Sequence, residues 1–369
     1  MATNHKKHHE PRILIAKRDH LPGWKAWLIR LAAILAGFLV AGVLSSLLTG
    51  ASIGECYEKM YKGVFGKLLQ GKTTLLWSFL QKSAILLCLS LAVTPAFRMR
   101  FWNCGAEGQA LIGGLAAMVC MIELGNKLPY PVLLLVIFAA SVLAGAVWGL
   151  IPALFQAQYK TNETLFTLMM NYVATQVVAY YVYIKGGGSN VINPVSTGNL
   201  PQIFGQQYAL NILIVATLMV LLYIYQKYSK QGYEISVVGE SQNTARYVGI
   251  NVKKVIIRTM AISGAICGIA GMLLVAGTDH SINTGTVGGQ GFTAIMVSWL
   301  GQFNPFIMAL MSGLVTFLQT GAAKVADSFF LNKSYADIVS GISILFLVGC
   351  EFFVQYTVKF NRTKKGGKA

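Results

Sequence analysis

Long apolar runs separated by short polar intervals set the pattern of this chain. The first, Trp27–Leu48, has membrane-crossing length, since about 20 helical residues traverse a bilayer core. Six more follow at Leu75–Phe97, Cys104–Glu123, Pro131–Leu154, Asn162–Ile184, Ala209–Tyr225 and Val255–Ala276. Phe292–Gly301 is too short to cross. Asn304-Pro305 interrupts it and Pro305–Thr320 continues. Broken helix pairs of this kind line cavities. Tyr335–Phe353 closes the series. The pattern predicts an all-α polytopic membrane protein with about ten transmembrane helices. Asn103 and Asn162 are placed as N-caps of the third and fifth spans, with Glu107 and Glu163 in the first turns. Gly264-x-x-x-Gly268 and Gly271 give the seventh span a small-residue packing face. The intervals 49–75, 186–207, 278–290 and 321–335 are expected on the outer side.

Composition agrees with this pattern. The chain is 55% hydrophobic and only 12% charged, with mean hydropathy +0.58, whereas soluble domains carry about 25% charged residues. A net charge of +17 invites a nucleic-acid reading, but the cations gather in loops and tails, so no nucleic-acid partner is expected. Of the 30 Lys and Arg residues, 20 fall on segments assigned inside and 8 on segments assigned outside. The positive-inside bias then places both termini in the cytoplasm. The expected organisation is a basic tail over 1–25, a transmembrane region over 26–356 and a second basic tail over 357–369. A cytoplasmic loop over 229–256 divides the transmembrane region. No cleavable signal-peptide pattern precedes the first span. His5, His8 and His9 read as part of a solvated tail. The six cysteines show no paired spacing and read as small core residues, not as a disulfide frame or metal site.

One motif misleads. Gly66 to Thr73 satisfies the phosphate-loop expression GxxxxGK[ST]. That loop needs a buried strand before it and a helix after it in an α/β domain. Glu58–Phe65 is no strand core, so the match is read as chance and the chain is expected to bind no ATP of its own.

The polar interval from Tyr228 to Arg258 is the informative one. It carries Lys230, Arg246, Lys253, Lys254 and Arg258 against only Glu234 and Glu240. Gly232 and Gly239 punctuate it, Glu240–Tyr247 reads as one or two helical turns, and Gly249 stops them. Three strings carry a resemblance. The first joins Gly239 and Ala245-Arg246-Tyr247-x-Gly249-Ile250-Asn251 to Ile262-Ser263-Gly264-Ala265 and Gly268-x-Ala270-Gly271. The second is Asn103-Cys-Gly105-Ala-Glu107-Gly-Gln109, with Cys104 where isoleucine is common. The third is Asn162-Glu163 followed by Leu168-Met169-Met170-Asn171-Tyr172. Together they resemble the permease subunits of ABC importers, over roughly residues 75–355, and most closely the branch that carries nucleosides and simple sugars.

That resemblance implies an ATP-driven importer subunit, for nucleosides or alternatively for simple sugars of the ribose or galactose type, in the plasma or inner membrane. It implies a coupling helix that docks on separate ATPase subunits, with Gly239, Glu240, Asn243, Ala245, Arg246, Tyr247 and Gly249 at the contact. ATP and magnesium then sit on those partners, and this chain holds no cofactor and no metal. It further implies a second permease chain, the same or similar, and an extracytoplasmic substrate-binding protein. The pathway is expected to be lined by Asn103, Glu107, Gln109, Asn171 and Gln290, of which the uncharged amides Gln109, Asn171 and Gln290 suit a hydroxyl-rich solute. Two other functional classes fit the chain less well. An ion-coupled transporter needs an acid securely at mid-membrane, and all 13 acids can be placed in tails, loops or near helix ends. A membrane-embedded enzyme needs a catalytic constellation, and none appears. Gly105-Ala-Glu-Gly-Gln109 and Gly288-Gly-Gln290-Gly form a faint internal repetition, which fits an inverted repeat with its site near mid-membrane.

Overall fold

The structure is a computed structural model that describes residues 13–17, 22–66, 73–203, 205–332 and 334–360. Helices dominate: α1 (Gly23–Thr49), α2 (Ile53–Phe65), α3 (Thr74–Arg98), α4 (Ala106–Leu124), α5 (Tyr130–Tyr159), α6 (Glu163–Lys185) and α7 (Ala209–Tyr228) come first. Then follow α8 (Lys230–Glu240), α9 (Gln242–Tyr247), α10 (Val252–Leu274), α11 (Gln290–Leu300), α12 (Pro305–Ser328) and α13 (Ser334–Gln355). Among the described residues, eight helices are long and apolar enough to cross a membrane: α1, α3 to α7, α10 with its extension, and α12. The other two expected spans are shorter. The apolar stretch of α13 is Ser334–Cys350, and α11 has 11 residues, about 17 Å at 1.5 Å each.

Several local expectations change. Residues 53–65, within the mixed polar interval expected on the outer side, form a helix. This α2 precedes the phosphate-loop-like string, so no strand leads into it; residues 67–72 themselves lie outside the described residues. α12 runs to Ser328 and takes in Lys324 and Asp327, which had been placed in a loop. Two short strands, β1 (Ile13–Lys17) and β2 (Tyr356–Phe360), pair antiparallel, with Ile13 opposite Phe360. Both were read as tail or helix end, but each mixes β-branched or aromatic residues with polar ones, the composition that suits strands. The remainder of the two tails, with His5, His8 and His9, lies outside the described residues.

The chain divides into two compact units, one of residues 1–60 with 321–369 and one of residues 61–320. In the first, α1 packs on α13, where the Tyr335 hydroxyl bonds Ser45 Oγ at 2.6 Å. In the second, α10 is the central helix. It begins at an Asn251 cap, whose side chain accepts from Lys254 N at 3.1 Å, and it is buried along most of its length. Its small-residue face does the packing that the sequence pattern predicts. A Cβ on Gly264 would lie 2.3 Å from the Gly145 carbonyl of α5, and one on Gly271 would lie 1.9 Å from the Ala110 carbonyl of α4. Three backbones therefore meet without intervening side chains, the arrangement that gives tight helix association in a bilayer. Gly271→Leu is expected to force α4 and α10 apart at a cost of at least about 3 kcal/mol. Thermal unfolding of the purified chain measures this; a melt equal to that of the unsubstituted protein refutes the close approach.

Cys56, Cys88, Cys104, Cys120 and Cys267 form no disulfide among the described residues. The interval 186–207 is held by backbone bonds rather than left loose. Val195 N donates to the His280 carbonyl at 2.8 Å, and Leu200 N donates to the Ala276 carbonyl at 2.9 Å.

Candidate functional site

The residues that open α4 form the first part of the site. Asn103 is fully buried and does not cap α4; Gly105 occupies that position. Its Oδ1 accepts from Gly105 N at 3.1 Å, an Asx-type turn, and from Gln109 Nε2 at 3.1 Å. Its Nδ2 donates to Ser263 Oγ of α10 at 3.0 Å and more weakly to Gln109 Oε1 at 3.3 Å. Asn171 on α6 is equally occupied. Its Oδ1 accepts from Gly108 N at 2.9 Å, and its Nδ2 donates to the Cys104 carbonyl at 2.9 Å. Both amides hold the entry to α4 against its neighbours. Asn171→Leu strands two buried backbone groups, which costs roughly 3 kcal/mol. Its melting temperature is expected to fall together with uptake; lost uptake at an unchanged melt would instead make Asn171 a solute contact.

Glu107 joins α4 to α11. Its Oε1 accepts from Gly289 N at 2.7 Å and its Oε2 from Gly291 N at 2.8 Å. The carboxylate thus sits in the first turn of one helix and caps the start of another, where both helix dipoles favour a negative charge. Gly291 permits the approach, since a Cβ there would lie 2.5 Å from Glu107 N. The two glycine-glutamine strings that repeat in the sequence are therefore in contact. Gln290 lies between the two bonded glycines, and its Oε1 is buried with no hydrogen-bond partner among the described residues. Of the five expected pathway residues, Asn103, Glu107, Gln109 and Asn171 spend their polar atoms on the protein; Gln290 alone retains a free acceptor.

Ser263, present in the first of the three strings but given no site role there, bonds Asn103. Sequence reasoning missed Gln81 and Asn211, buried amides on α3 and α7. These bond Thr278 Oγ1 at 2.6 Å and the Gly277 carbonyl at 3.2 Å, respectively. Both partners belong to a π-helical turn, Val275–Asp279, that extends α10; such turns gather at functional sites. The available signal was a lone amide inside an apolar run.

The second part of the site is the interval after α7. Ser229 caps α8 by accepting from Gly232 N at 2.9 Å, and Ser241 caps α9 by accepting from Thr244 N at 3.2 Å. The expected single helix over Glu240–Tyr247 is thus two helices broken at Ser241, and Glu240 ends the first. Gly232 and Gly239 are not turn residues. They lie within α8, where a Cβ on Gly239 would lie 2.0 Å from the Arg98 carbonyl. Gly249, at φ +80, does end α9. Ala245 faces inward, with no exposed surface, in an apolar cluster with Met99, Phe101, Ile235, Val238 and Ile256. Arg246 and Tyr247 face outward, Tyr247 with 91% of its surface exposed. Asn243 is also exposed and accepts weakly from Arg246 at 3.4 Å. Nearby, the Arg258–Glu234 ion pair at 2.9 Å ties α10 to α8. The result is a short helix fixed from behind and presenting its outer face.

The two parts are continuous in the chain. Met99 and Phe101 belong to the cluster behind α9, and Asn103 to Gln109 build the junction with α6, α10 and α11. The sequence matches the family described as branched-chain amino acid transport system / permease component over residues 75–348. This chain belongs to that family. The match spans α3 to α12 and most of α13, so it includes both parts of the site.

Three relatives are similar along nearly their whole length. A guanosine ABC transporter permease of Bacillus subtilis is 30% identical over 92% of this chain and 97% of its own. A glucose ABC transporter permease of Haloferax volcanii is 27% identical over 95% of both. A nucleoside ABC transporter permease of Lactococcus lactis is 24% identical over 93% of this chain and 96% of its own. The chain is accordingly a multi-pass protein of the cell membrane and a transport component, not an enzyme.

Proposed function

We propose that this chain is the membrane subunit of an ATP-driven importer for nucleosides. The observation that carries the coupling part is α9: a six-residue helix with Ala245 buried behind it and Arg246 and Tyr247 presented outward. So short a helix has no stability of its own. A rigid mount for it is useful when something outside must grip it. The partners proposed are a pair of ATPase subunits, which supply ATP and magnesium, a second permease chain of the same or similar kind, and an extracytoplasmic binding protein. The basic charge of both tails and of the 229–256 segment supports a cytoplasmic position for them.

In this reading, ATPase motion enters at α9 and α8 and reaches residues 99–109 through Gly239 against the Arg98 carbonyl. It then moves the α4–α11 junction. Gln290 offers its free acceptor to a solute hydroxyl or base N–H, and Asn103, Glu107, Gln109 and Asn171 hold that junction in register. The nucleoside assignment rests on the full-length similarity to the guanosine permease. The glucose relative favours a second reading, a simple-sugar importer. Uptake of radiolabelled guanosine by cells expressing the chain with its partners decides between them. Unlabelled nucleosides are expected to compete and glucose is not. Competition by glucose, with no guanosine uptake, would sink the nucleoside reading.

A further inference from the structure

A polar cleft of about 330 Å³ lies where α3, α7 and the α11–α12 turn converge. Arg98, Tyr223, Gln226, Lys227, Gln302 and Asn304 line it. Its side chains supply cations and amide donors, and none of its lining residues is acidic. Gln226 is the decisive member. It is 93% buried, from a relative exposure of 7%, and its Oε1 accepts from Arg98 Nη1 at 2.9 Å. A guanidinium only donates, so this bond fixes which way the amide points. Gln226 Nε2 is left as a buried donor without a partner among the described residues. Such a group is destabilising unless something accepts from it.

The backbone adds to the same polarity. Gln302 and Phe303 both adopt left-handed conformations, φ 50 and 58, and turn the chain so that α12 begins at the cleft with Pro305. The start of this 24-residue helix carries partial positive charge. Lys227 Nζ donates to the Tyr223 hydroxyl at 2.9 Å, and an ammonium has two further donors. Two cations, a buried donor with no acceptor and a helix N-terminus thus converge on one space.

We propose that this cleft binds the phosphate oxyanion of an anionic lipid headgroup. The surroundings favour a lipid as the source. Tyr228 and Phe306 expose 69% and 53% of their surfaces beside it, and the Lys227 ammonium lies 5.3 Å over the Tyr223 ring and 5.5 Å over that of Tyr228. Exposed aromatics and cations at the ends of apolar helices mark the membrane interface. Basic pockets between such helix ends take anionic headgroups. The cleft sits at the end of α7 that leads into the basic 229–256 interval, the side where anionic lipid attracts cations.

The test is thermal unfolding of the full chain in nonionic detergent with added phosphatidylglycerol, phosphatidylcholine or inorganic phosphate. Phosphatidylglycerol is expected to raise the melting temperature by about 3 °C or more over phosphatidylcholine. Lys227→Gln is expected to shrink that difference, and Arg98→Gln combined with Lys227→Gln to abolish it, each read against its own lipid-free melt. A difference that survives in both variants overturns the proposal. So does an equal rise with inorganic phosphate alone, which would mark a soluble-anion site. Variants that keep the lipid response but lose their ATPase would show that the cleft serves an acidic partner residue, which also overturns it.

Discussion

Ala245→Glu is expected to abolish ATP-dependent uptake altogether. Ala245 is completely enclosed by apolar side chains contributed by α8, α10 and the segment after α3. A carboxylate there is desolvated among apolar side chains, which costs several kcal/mol. The cheapest escape is for α9 to swing outward, because its six residues make few bonds of their own. The outer face formed by Arg246 and Tyr247 is then lost as a surface. The spanning helices lie outside this cluster for most of their length, so the variant should still purify as a monodisperse protein. Ala245→Ser is the control, since a hydroxyl of similar size should retain most uptake. Uptake by vesicles reconstituted with the partner subunits measures both variants. Normal transport by Ala245→Glu would mean that α9 transmits nothing.

Glu107→Ala is expected to lower uptake at least about tenfold while leaving the ATPase bound. The carboxylate makes two charge-assisted bonds, to Gly289 N and Gly291 N, each worth about 1.5–3 kcal/mol. Without them the start of α11 loses its tether to α4, and Gln290 between the two glycines loses its fixed position. Glu107→Gln should be intermediate, because the amide keeps one acceptor but turns a donor toward a donor. Glu107→Asp is shorter by one methylene and cannot reach both N–H groups in the present geometry. A positioning role predicts this ranking of variants, and it also predicts that the solute concentration giving half-maximal uptake rises along with the loss of rate. Equal uptake by the Ala and Gln variants would show that the carboxylate positions nothing.

What was legible in the sequence follows from the physics of each feature. Spans were readable because a bilayer demands long apolar helices, and the packing face of α10 was readable because Gly264, Gly268 and Gly271 recur at helical spacing. The broken pair α11–α12 was marked by Asn304-Pro305. Glycine misled elsewhere. Gly232 and Gly239 were read as punctuation, yet they allow α8 to press on backbone carbonyls of Gln226 and Arg98, and a sequence does not distinguish a turn from a close approach. The polar residues were found but their roles were not. Asn171 looks available within an apolar helix, and only the fold brings Cys104 and Gly108 within its reach. Glu107 was placed at a helix start, correctly, but the second helix start that shares it lies 182 residues on. The α2 helix was hidden because its apolar face is one-sided and its mean polarity resembles a loop.

The central claim is that α9 is the surface by which an ATPase drives this permease. Its most direct test is a photo-crosslinking residue placed at Tyr247, in the native membrane, with the same residue at Tyr180 as control. Tyr180 is 70% exposed, on α6, and Tyr247 is 91% exposed, on α9. The account predicts a protein adduct from position 247 whose partner carries a working phosphate-binding loop, and no such adduct from position 180. An adduct from neither position, under conditions where another importer is captured through its own coupling helix, would contradict it.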